Sequence, residues 1–554
     1  MQKADRPQWP VRQVPAVLRK RYLAEGWWTD ATLGALVDRG LGAAPGAAVH
    51  IWSESRPWHG AYADIHSDAL RLATVLTQAG IEPGDAVAFQ LPNWREAVVA
   101  FYGLALGGYV LVPIVHIYGH KEARFILGQS RARAYISADR YGHVDYLDIV
   151  DGAGPTELPD LELHITVGLA EATAPRPRVR RIAWDVVDAA VPAAATGTAD
   201  CEEVCVLAYT SGTTSEPKGV MHSHRTLLAE LAHMRSWITP GSPNLMGSPV
   251  THATGMLGAV LAPMEQGQDI HLIDRWDPAR VLRIMLDAHI GAGTGASVFL
   301  ASILDHPEFT PEHARQIRRV GLGGAPVPSA LAARAASHGI SIVRAYGSTE
   351  HPSVTGCSFG DPPEKRHGTD GAPMAGVEIR LVGDDGEPVA AGAAGAAGEI
   401  WSRGPDLCLG YTDPALSAEA FDEEGWYRTG DMGIVDADGF LTITDRLHDV
   451  IIRGGENISA AEVEAAIAAL PQIAEVAVVA VPDERLGEHA CAVVRLAPDA
   501  TSIALADIVD ELERVGLARQ KWPEELRTVD EFPRTAAGKV RKVDLRQQLR
   551  SGDL

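Results

Sequence analysis

The 554-residue sequence is short of cysteine, short of positive charge and without a long uninterrupted apolar run, and each shortage excludes a class of protein. Its 5 cysteines (Cys201, Cys205, Cys357, Cys408, Cys491) are odd in number, widely scattered and form no CxxC pair. That is neither a disulfide framework nor a thiolate zinc site, and it fits a reducing cytoplasm. Lys+Arg number 49 against 72 Asp+Glu, a formal charge of −23. A surface that acidic repels nucleic acid and anionic membranes at long range. No nucleic-acid partner is therefore expected, and a phosphate-bearing ligand needs a local site. The N-terminal stretch MQKADRPQWPVRQVP lacks the apolar core of a signal peptide. Residues 97–115 are long enough to span a bilayer, but Gly103, Gly107, Gly108 and Pro113 interrupt them. A buried helix, a turn and a strand are expected there, with no membrane insertion.

Hydrophobic residues at 46% and charged residues at 22% are the profile of a soluble globular chain. At roughly 100–200 residues per domain, its length predicts about three folding units. Residues 67–80 carry helical periodicity, with Ser67 as the expected N-cap and Gly80 as the stop. Residues 86–91 read as a buried strand, and a second helix is expected from Glu96. Such alternation predicts an α/β fold of parallel sheets covered by helices. From about Glu378 to Asp445, Gly- and Asp-rich turns (383–386, 436–439) predict an antiparallel, barrel-like subdomain. Beyond 445–449 a compact α+β piece is expected: helices at 460–470 and 503–516, strands at 476–481 and 490–496. Residues 519–550 hold nine basic and five acidic residues, which alone reads as a solvated helical tail.

The strongest local pattern is Tyr209-Thr210-Ser211-Gly212-Thr213-Thr214-Ser215-Glu216-Pro217-Lys218-Gly219, after the strand-like run 204–208. Glycines that let backbone N–H groups approach, short hydroxyl donors and a lysine are what phosphate binding needs. It is not a Walker A loop: Pro217 stands for the second glycine and Gly219 for the terminal Ser/Thr.

This loop resembles the signature of the adenylate-forming (AMP-binding) superfamily, which includes acyl-CoA synthetases, peptide-synthetase adenylation domains and luciferases. The resemblance continues in order through Gly323-Gly324-Ala325-Pro326, Tyr346-Gly347-Ser348-Thr349-Glu350 and Tyr427-Arg428-Thr429-Gly430-Asp431. It ends with the hinge-like DRLHDVIIRGGENISAAEVE at 445–464 and Pro533-Arg534-Thr535-Ala536-Ala537-Gly538-Lys539. It implies a large N-terminal domain, 1–445, of helix-covered sheets plus the barrel-like subdomain. A small mobile α+β C-terminal domain, 449–554, would follow.

The implied chemistry joins a carboxylate to the α-phosphate of ATP, because a free carboxylate is a poor acyl electrophile. Negative charge builds on the phosphate oxygens, so cations must be placed there in advance. By the resemblance, Lys539 supplies one, and Glu350 holds Mg²⁺. Thr349 donates to the α-phosphate, Tyr346 stacks on adenine with Gly324, Ala325, Pro326, Gly347 and Ser348 around it, and Asp431 accepts from the ribose hydroxyls. Thr210, Ser211, Gly212, Thr213, Thr214 and Lys218 cradle the pyrophosphate. Arg446 matches a ribose contact, and Gly454 and Gly455 a pantetheine tunnel. Read alone, Lys539 is one cation among several, Asp431 a turn residue and Tyr346 a core residue.

His448 stands where the family more often has Lys or Asp, and Ala460 where Pro is common. Both leave the pivot's electrostatics open. His252, in Pro249-Val250-Thr251-His252-Ala253-Thr254-Gly255, matches the edge of the acyl site and reads equally as a core histidine. With Gly255, Ala325 and Gly347 it implies a site for a hydrophobic acid, since no acidic residue in that stretch would hold an α-ammonium. The expectation is an ATP- and Mg²⁺-dependent acid–CoA ligase, with carboxylic acid, ATP and CoA as partners and a homodimer admitted. The rivals are an enzyme that loads a carrier protein and a catalytically silent nucleotide-binding scaffold. Gly291-Ala292-Gly293-Thr294-Gly295-Ala296 fits GxGxxA but follows a helix-like run, so no dinucleotide site is expected. His116 and His120 are separated by the turn residue Gly119, and no metal pair is expected there.

Overall fold

A computed structural model describes the chain except residues 1–8, 155, 169–178, 194–196, 198, 211–216, 236, 238–240, 325–326, 384, 390–396, 447–448, 454–455, 484–486, 516, 518 and 536–537. The chain divides into two compact units. The first comprises Met1–His367, Pro373–Glu378 and Arg403–Tyr427; the second comprises Gly368–Ala372, Ile379–Ser402 and Arg428–Leu554.

The first unit is built on two large sheets. Seven strands run in the order Lys218–Ser223, Val204–Thr210, Val110–Pro113, Ala86–Gln90, Ala134–Ala138, Leu163–Val167 and Arg180–Ala183. All neighbours are parallel except the first pair, an antiparallel hairpin. Ala86–Gln90 is buried at every residue, as a parallel strand covered on both faces must be. The second sheet orders Gly291–Ala292, Asn244–Met246, Ile270–Ile273, Ala48–Trp52 and Trp58–Ala61, antiparallel only at the last pair. A further parallel pair, Arg319–Gly323 and Ser341–Tyr346, follows. This is the α/β architecture expected of the sequence.

The apolar stretch 97–115 resolves into the helix Arg95–Leu106 and the strand Val110–Pro113, and the helix is buried from Glu96 to its end. Its neighbours approach closely. A Cβ on Gly103 would lie 2.8 Å from the Ala69 carbonyl oxygen, and one on Gly34 2.5 Å from that of Ala105. No helix among the described residues is long and apolar enough to cross a membrane.

The helix expected over 67–80 starts earlier, as Tyr62–Gln78. Ser67 lies inside it. The entry is closed instead by Asp64, whose carboxylate accepts from the Ala61 N–H at 2.8 Å. Gly80 ends the turn at φ +88°, the left-handed conformation that glycine takes without strain.

The second unit is built on a four-stranded sheet, Glu378–Val382, Ala397–Arg403, Tyr427–Val435 and Leu441–Arg446, of which only the end residues Glu378, Arg403 and Tyr427 count with the first unit; its last pair is antiparallel. Asp436 makes the expected turn, its Oδ1 accepting from the N–H groups of Asp438 and Phe440. The C-terminal piece pairs Ile473–Asp483 with Gly487–Leu496 and covers them with Ala460–Ile467, Leu505–Arg514 and Lys542–Ser551. Its own core gathers Ile451, Val463, Ile467, Val478 and Leu512.

Candidate active site

In open α/β sheets ligands bind outside the carboxyl ends of the strands. Three of the motif segments begin where strands of the first unit end. Val204–Thr210 delivers the Tyr209–Gly219 segment, Arg319–Gly323 delivers Gly324, and Ser341–Tyr346 delivers Gly347 to Glu350.

Thr210 and Lys218 are register partners at the end of the hairpin. Ser211, Gly212, Thr213 and Thr214 lie outside the described residues. Gly219 is required by packing: a Cβ there would stand 2.7 Å from Thr412 Oγ1 and 2.9 Å from the Tyr209 ring. The Lys218 ammonium sits over the Tyr411 ring, 5.6 Å from its centroid.

Tyr346 is buried, and Gly347 must be glycine: a Cβ would lie 1.9 Å from the Pro352 carbonyl oxygen. The turn that follows is tied to itself, Ser348 N–H donating to the His351 carbonyl and His351 N–H to Ser348 Oγ. His222 Nε2 donates to the Thr349 carbonyl at 2.7 Å. Glu350 is buried, and its Oε1 accepts from the Tyr411 hydroxyl at 2.7 Å. Its backbone carbonyl also takes the Cys408 N–H at 2.9 Å. Burial and the Glu350 charge together push the Tyr411 hydroxyl far above its ordinary pKa, so it remains a neutral donor. The arrangement joins Thr349 and Glu350, through His222 and through Tyr411 with Lys218, to the hairpin that carries the 209–219 segment. Tyr411 and His222 were not singled out from sequence. Tyr411 lies 61 residues from its partner and His222 127 from its own, and no local spacing signals either.

Gly324 is exposed with φ +71°, while Ala325 and Pro326 lie outside the described residues. His252 caps a short helical turn, its Nδ1 accepting from the Thr254 N–H at 3.3 Å. A Cβ on Gly255 would lie 1.9 Å from the Pro249 carbonyl oxygen. The chain then runs into a π-helical turn, Met256–Leu261, a form often found at functional sites. The GxGxxA segment adjoins this region. Gly291–Ala292 is itself a short strand, and a Cβ on Gly295 would meet Ser248 Oγ at 3.2 Å and Thr254 Cγ2 at 3.4 Å.

In the second unit Asp431 and Arg446 are register partners across an antiparallel pair. Asp431 is buried, and its N–H donates to Thr429 Oγ1 at 3.1 Å. Leu447, His448, Gly454 and Gly455 lie outside the described residues. Lys539 closes a tight loop: its N–H donates to Thr535 Oγ1 and its carbonyl accepts from the Thr535 N–H at 2.8 Å. Gly538 turns that loop at φ +82°.

The sequence profile of the AMP-binding enzyme family matches residues 40–412, and that of its C-terminal domain matches residues 462–539. The chain belongs to the AMP-binding enzyme family. It is 34% identical to a medium-chain fatty-acid–CoA ligase of Escherichia coli (strain K12), over 96% of this chain and 93% of that one. It is 33% identical to a methyl-dioxo-octahydroindenyl-propanoyl:CoA ligase of Rhodococcus jostii (strain RHA1), over 88% and 93% of the two chains. Among solved structures, ATP-bound MatB from Rhodopseudomonas palustris is similar, with a TM-score of 0.81 and 25% identity over 94% of this chain and 99% of that one. Members of this family are enzymes with a large N-terminal and a small C-terminal domain, the organisation implied by the six ordered motifs.

Proposed function

We propose that this enzyme is an ATP-dependent acid–CoA ligase for a hydrophobic, fatty or alicyclic carboxylic acid. A carboxylate oxygen of the acid attacks the α-phosphate of ATP, the bond to pyrophosphate breaks, and an acyl-adenylate forms. The CoA thiol, losing its proton, then attacks the acyl carbon; the thioester forms and AMP leaves. The observation that carries this reading is the tie between the Thr349–Glu350 turn and the signature hairpin. It ties the Thr349 backbone through His222, and the Glu350 carboxylate through Tyr411, to the hairpin that carries Lys218.

In this reading Thr349 donates to the α-phosphate, and Thr210 to Thr214 with Lys218 hold the leaving pyrophosphate. Tyr346, with Gly324, Ala325, Pro326, Gly347 and Ser348, receives the adenine. Asp431 and Arg446 receive the ribose, and Lys539 neutralises charge at the α-phosphate. The Glu350 carboxylate suits Mg²⁺, which takes one or two carboxylates and completes its shell with phosphate oxygens and water. Bound there, Mg²⁺ would supply a positive charge against the phosphates. His252 and Gly255, with Ala325 and Gly347, would line the acyl site, and Gly454 and Gly455 the pantetheine path. Residues 1–445 and 449–554 would be the two bodies that realign between half-reactions. A cytoplasmic setting accords with five cysteines among which no disulfide forms, four of them buried. A homodimer completes the reading and is measured by light scattering.

Lys539→Ala is expected to abolish acid-dependent ATP–pyrophosphate exchange while leaving thioester formation from a supplied acyl-adenylate largely intact. Loss of both steps in a folded variant would overturn the division of labour. A preference for a phosphopantetheinylated carrier protein, with no turnover of free CoA, would select the carrier-loading alternative. A broad panel of carboxylic acids in the exchange assay identifies the substrate.

A further inference from the structure

Among the described residues, one cluster brings three His, Asp or Glu ligand atoms within 4.8 Å of one another, and it is wholly buried: Glu230, His233 and Asp406. Glu230 and His233 sit three apart on one face of the helix His224–Met234. Asp406 belongs to the run that leads to Tyr411, and His351 is the residue directly after Glu350. His233 Nδ1 stands 3.8 Å from Glu230 Oε2 and 3.8 Å from Asp406 Oδ1, while His351 Nε2 is 3.2 Å from the same Asp406 oxygen.

The outward-facing atoms of these groups are already held. His233 Nε2 donates to the Ala375 carbonyl at 2.8 Å. Ser353 Oγ donates to Glu230 Oε1 at 2.9 Å, and Ser353 N–H to Asp406 Oδ2 at 3.3 Å. Each contact turns the opposite atom of its partner inward, as the outer hydrogen bonds of a metal centre do. Glu230 is 2% exposed, and its Oε2 receives no hydrogen bond among the described residues. His233 Nδ1 faces it at 3.8 Å.

We propose that Glu230, His233 and Asp406, with His351 hydrogen-bonded to Asp406 Oδ1 behind them, form a structural site for a divalent transition metal of the zinc type. Ligands of a tetrahedral zinc at about 2.0–2.2 Å stand roughly 3.3–3.6 Å from one another; His233 Nδ1 stands 3.8 Å from each of the two carboxylate oxygens, a few tenths of an ångström wider. One imidazole and two carboxylates are a donor set that zinc accepts. A dication also neutralises two carboxylates that would otherwise be costly to bury. The three residues are all buried, which keeps substrate from the ion, so its role is to hold structure. It would pin the helix after the signature hairpin to the run before Tyr411, with the turn after Glu350 held to both through Ser353. This site is separate from the Mg²⁺ expected at Glu350, and it does not depend on the proposed ligase reaction.

The test reads metal content of the full chain, purified without chelator or histidine tag, by inductively coupled plasma mass spectrometry. Chelator-treated protein is then titrated with Zn²⁺ and with Co²⁺, following thermal unfolding and the visible d–d bands of cobalt. About one equivalent per chain is expected, with higher thermal stability and tetrahedral-type cobalt bands. Glu230→Gln and His233→Gln should abolish both responses, and Ser353→Ala should weaken metal affinity by about 10–100-fold. The proposal is overturned if neither ion changes stability or gives bands in the unaltered protein. The cluster would then be a metal-free network of imidazolium and carboxylate groups. It is equally overturned if folded Glu230→Gln and His233→Gln bind the ion as well as the parent. Should those two variants fail to fold, the titrations of the unaltered chain decide alone.

Discussion

Replacing Tyr411 by Phe removes one oxygen from beneath Glu350 and leaves the surrounding packing in place. The Tyr411 ring is buried, and its contacts with the Lys218 ammonium at 5.6 Å and the Phe421 ring at 6.1 Å need no hydroxyl. What is lost is a 2.7 Å hydrogen bond to a carboxylate, and such a bond contributes about 1.5–3 kcal/mol. Because each 1.4 kcal/mol is tenfold, binding of the metal–nucleotide complex should weaken by about 10–150-fold if the bond serves to orient Glu350. The hydroxyl is held neutral by burial and by the Glu350 charge, so the penalty should be the same between pH 7 and 9. The same hydroxyl also bonds the Tyr427 side chain, and Tyr427→Phe is the control for that contact.

Calorimetric titration with Mg·ATP, repeated in a Glu350→Gln background, separates orientation from general stability. Tyr411→Phe should be costly in the parent and nearly neutral once Glu350 has lost its charge. Equal penalties in both backgrounds would refute the reasoning, because Tyr411 would then act on the fold and not through the carboxylate.

Gly347→Ala places a Cβ 1.9 Å from the Pro352 carbonyl oxygen and must shift the turn that carries Thr349. Exchange activity should fall by about 100-fold with circular dichroism unchanged, since a displacement of about 1 Å costs that much; full activity would contradict it. Gly103→Ala drives a methyl to 2.8 Å from the Ala69 carbonyl and should destabilise by about 1–3 kcal/mol in urea unfolding without altering KM. His116, His224 and His271 are each pushed down to about 4, chiefly by burial. The unfolded chain protonates them near 6.5, so their stabilisation is complete above that pH and is lost as pH falls toward 4. Urea unfolding at pH 5 against pH 7 should show a loss on the order of 2 kcal/mol per histidine, and an unchanged midpoint would exclude it.

The sequence made some of this legible because the cause was local. Ala86–Gln90 is a strand because the apolar run 86–89 suits a sheet covered on both faces, and the buried Gln90 that follows is satisfied by hydrogen bonds to Val115, Tyr118 and Tyr135. Asp436 makes a turn because its side chain can reach the next N–H groups. The start of the helix Tyr62–Gln78 is not legible in the sequence, because Ser67 offers a cap locally. The true entry is fixed by the preceding strand Trp58–Ala61, which pairs with Ala48–Trp52, and by Asp64 reaching back. The partners of the motif residues were hidden for a different reason. Tyr411 beneath Glu350, His222 beneath Thr349 and the buried group around Glu230 meet only after three distant segments have packed.

The glycines of the motifs change meaning once the packing is known. In the sequence, the Ser/Gly content of the signature suggests a loop free to grip and release pyrophosphate. Gly219 and Gly347 serve another end, because each sits where a methyl group would strike a hydroxyl, a ring or a carbonyl oxygen. Gly255 repeats the pattern against Pro249. A glycine in such contact gives close approach, and with close approach comes a fixed backbone. The basic stretch 519–550 shifts in the same direction. Arg534 pairs with Glu475, Lys542 with Glu464, Arg546 with Asp449 and Lys521 with Glu462. Much of its positive charge therefore staples the second unit to itself instead of forming a general anion-binding surface. In the proposed reading the phosphate chemistry then falls to a few local groups, which is how so acidic a chain would bind polyanions.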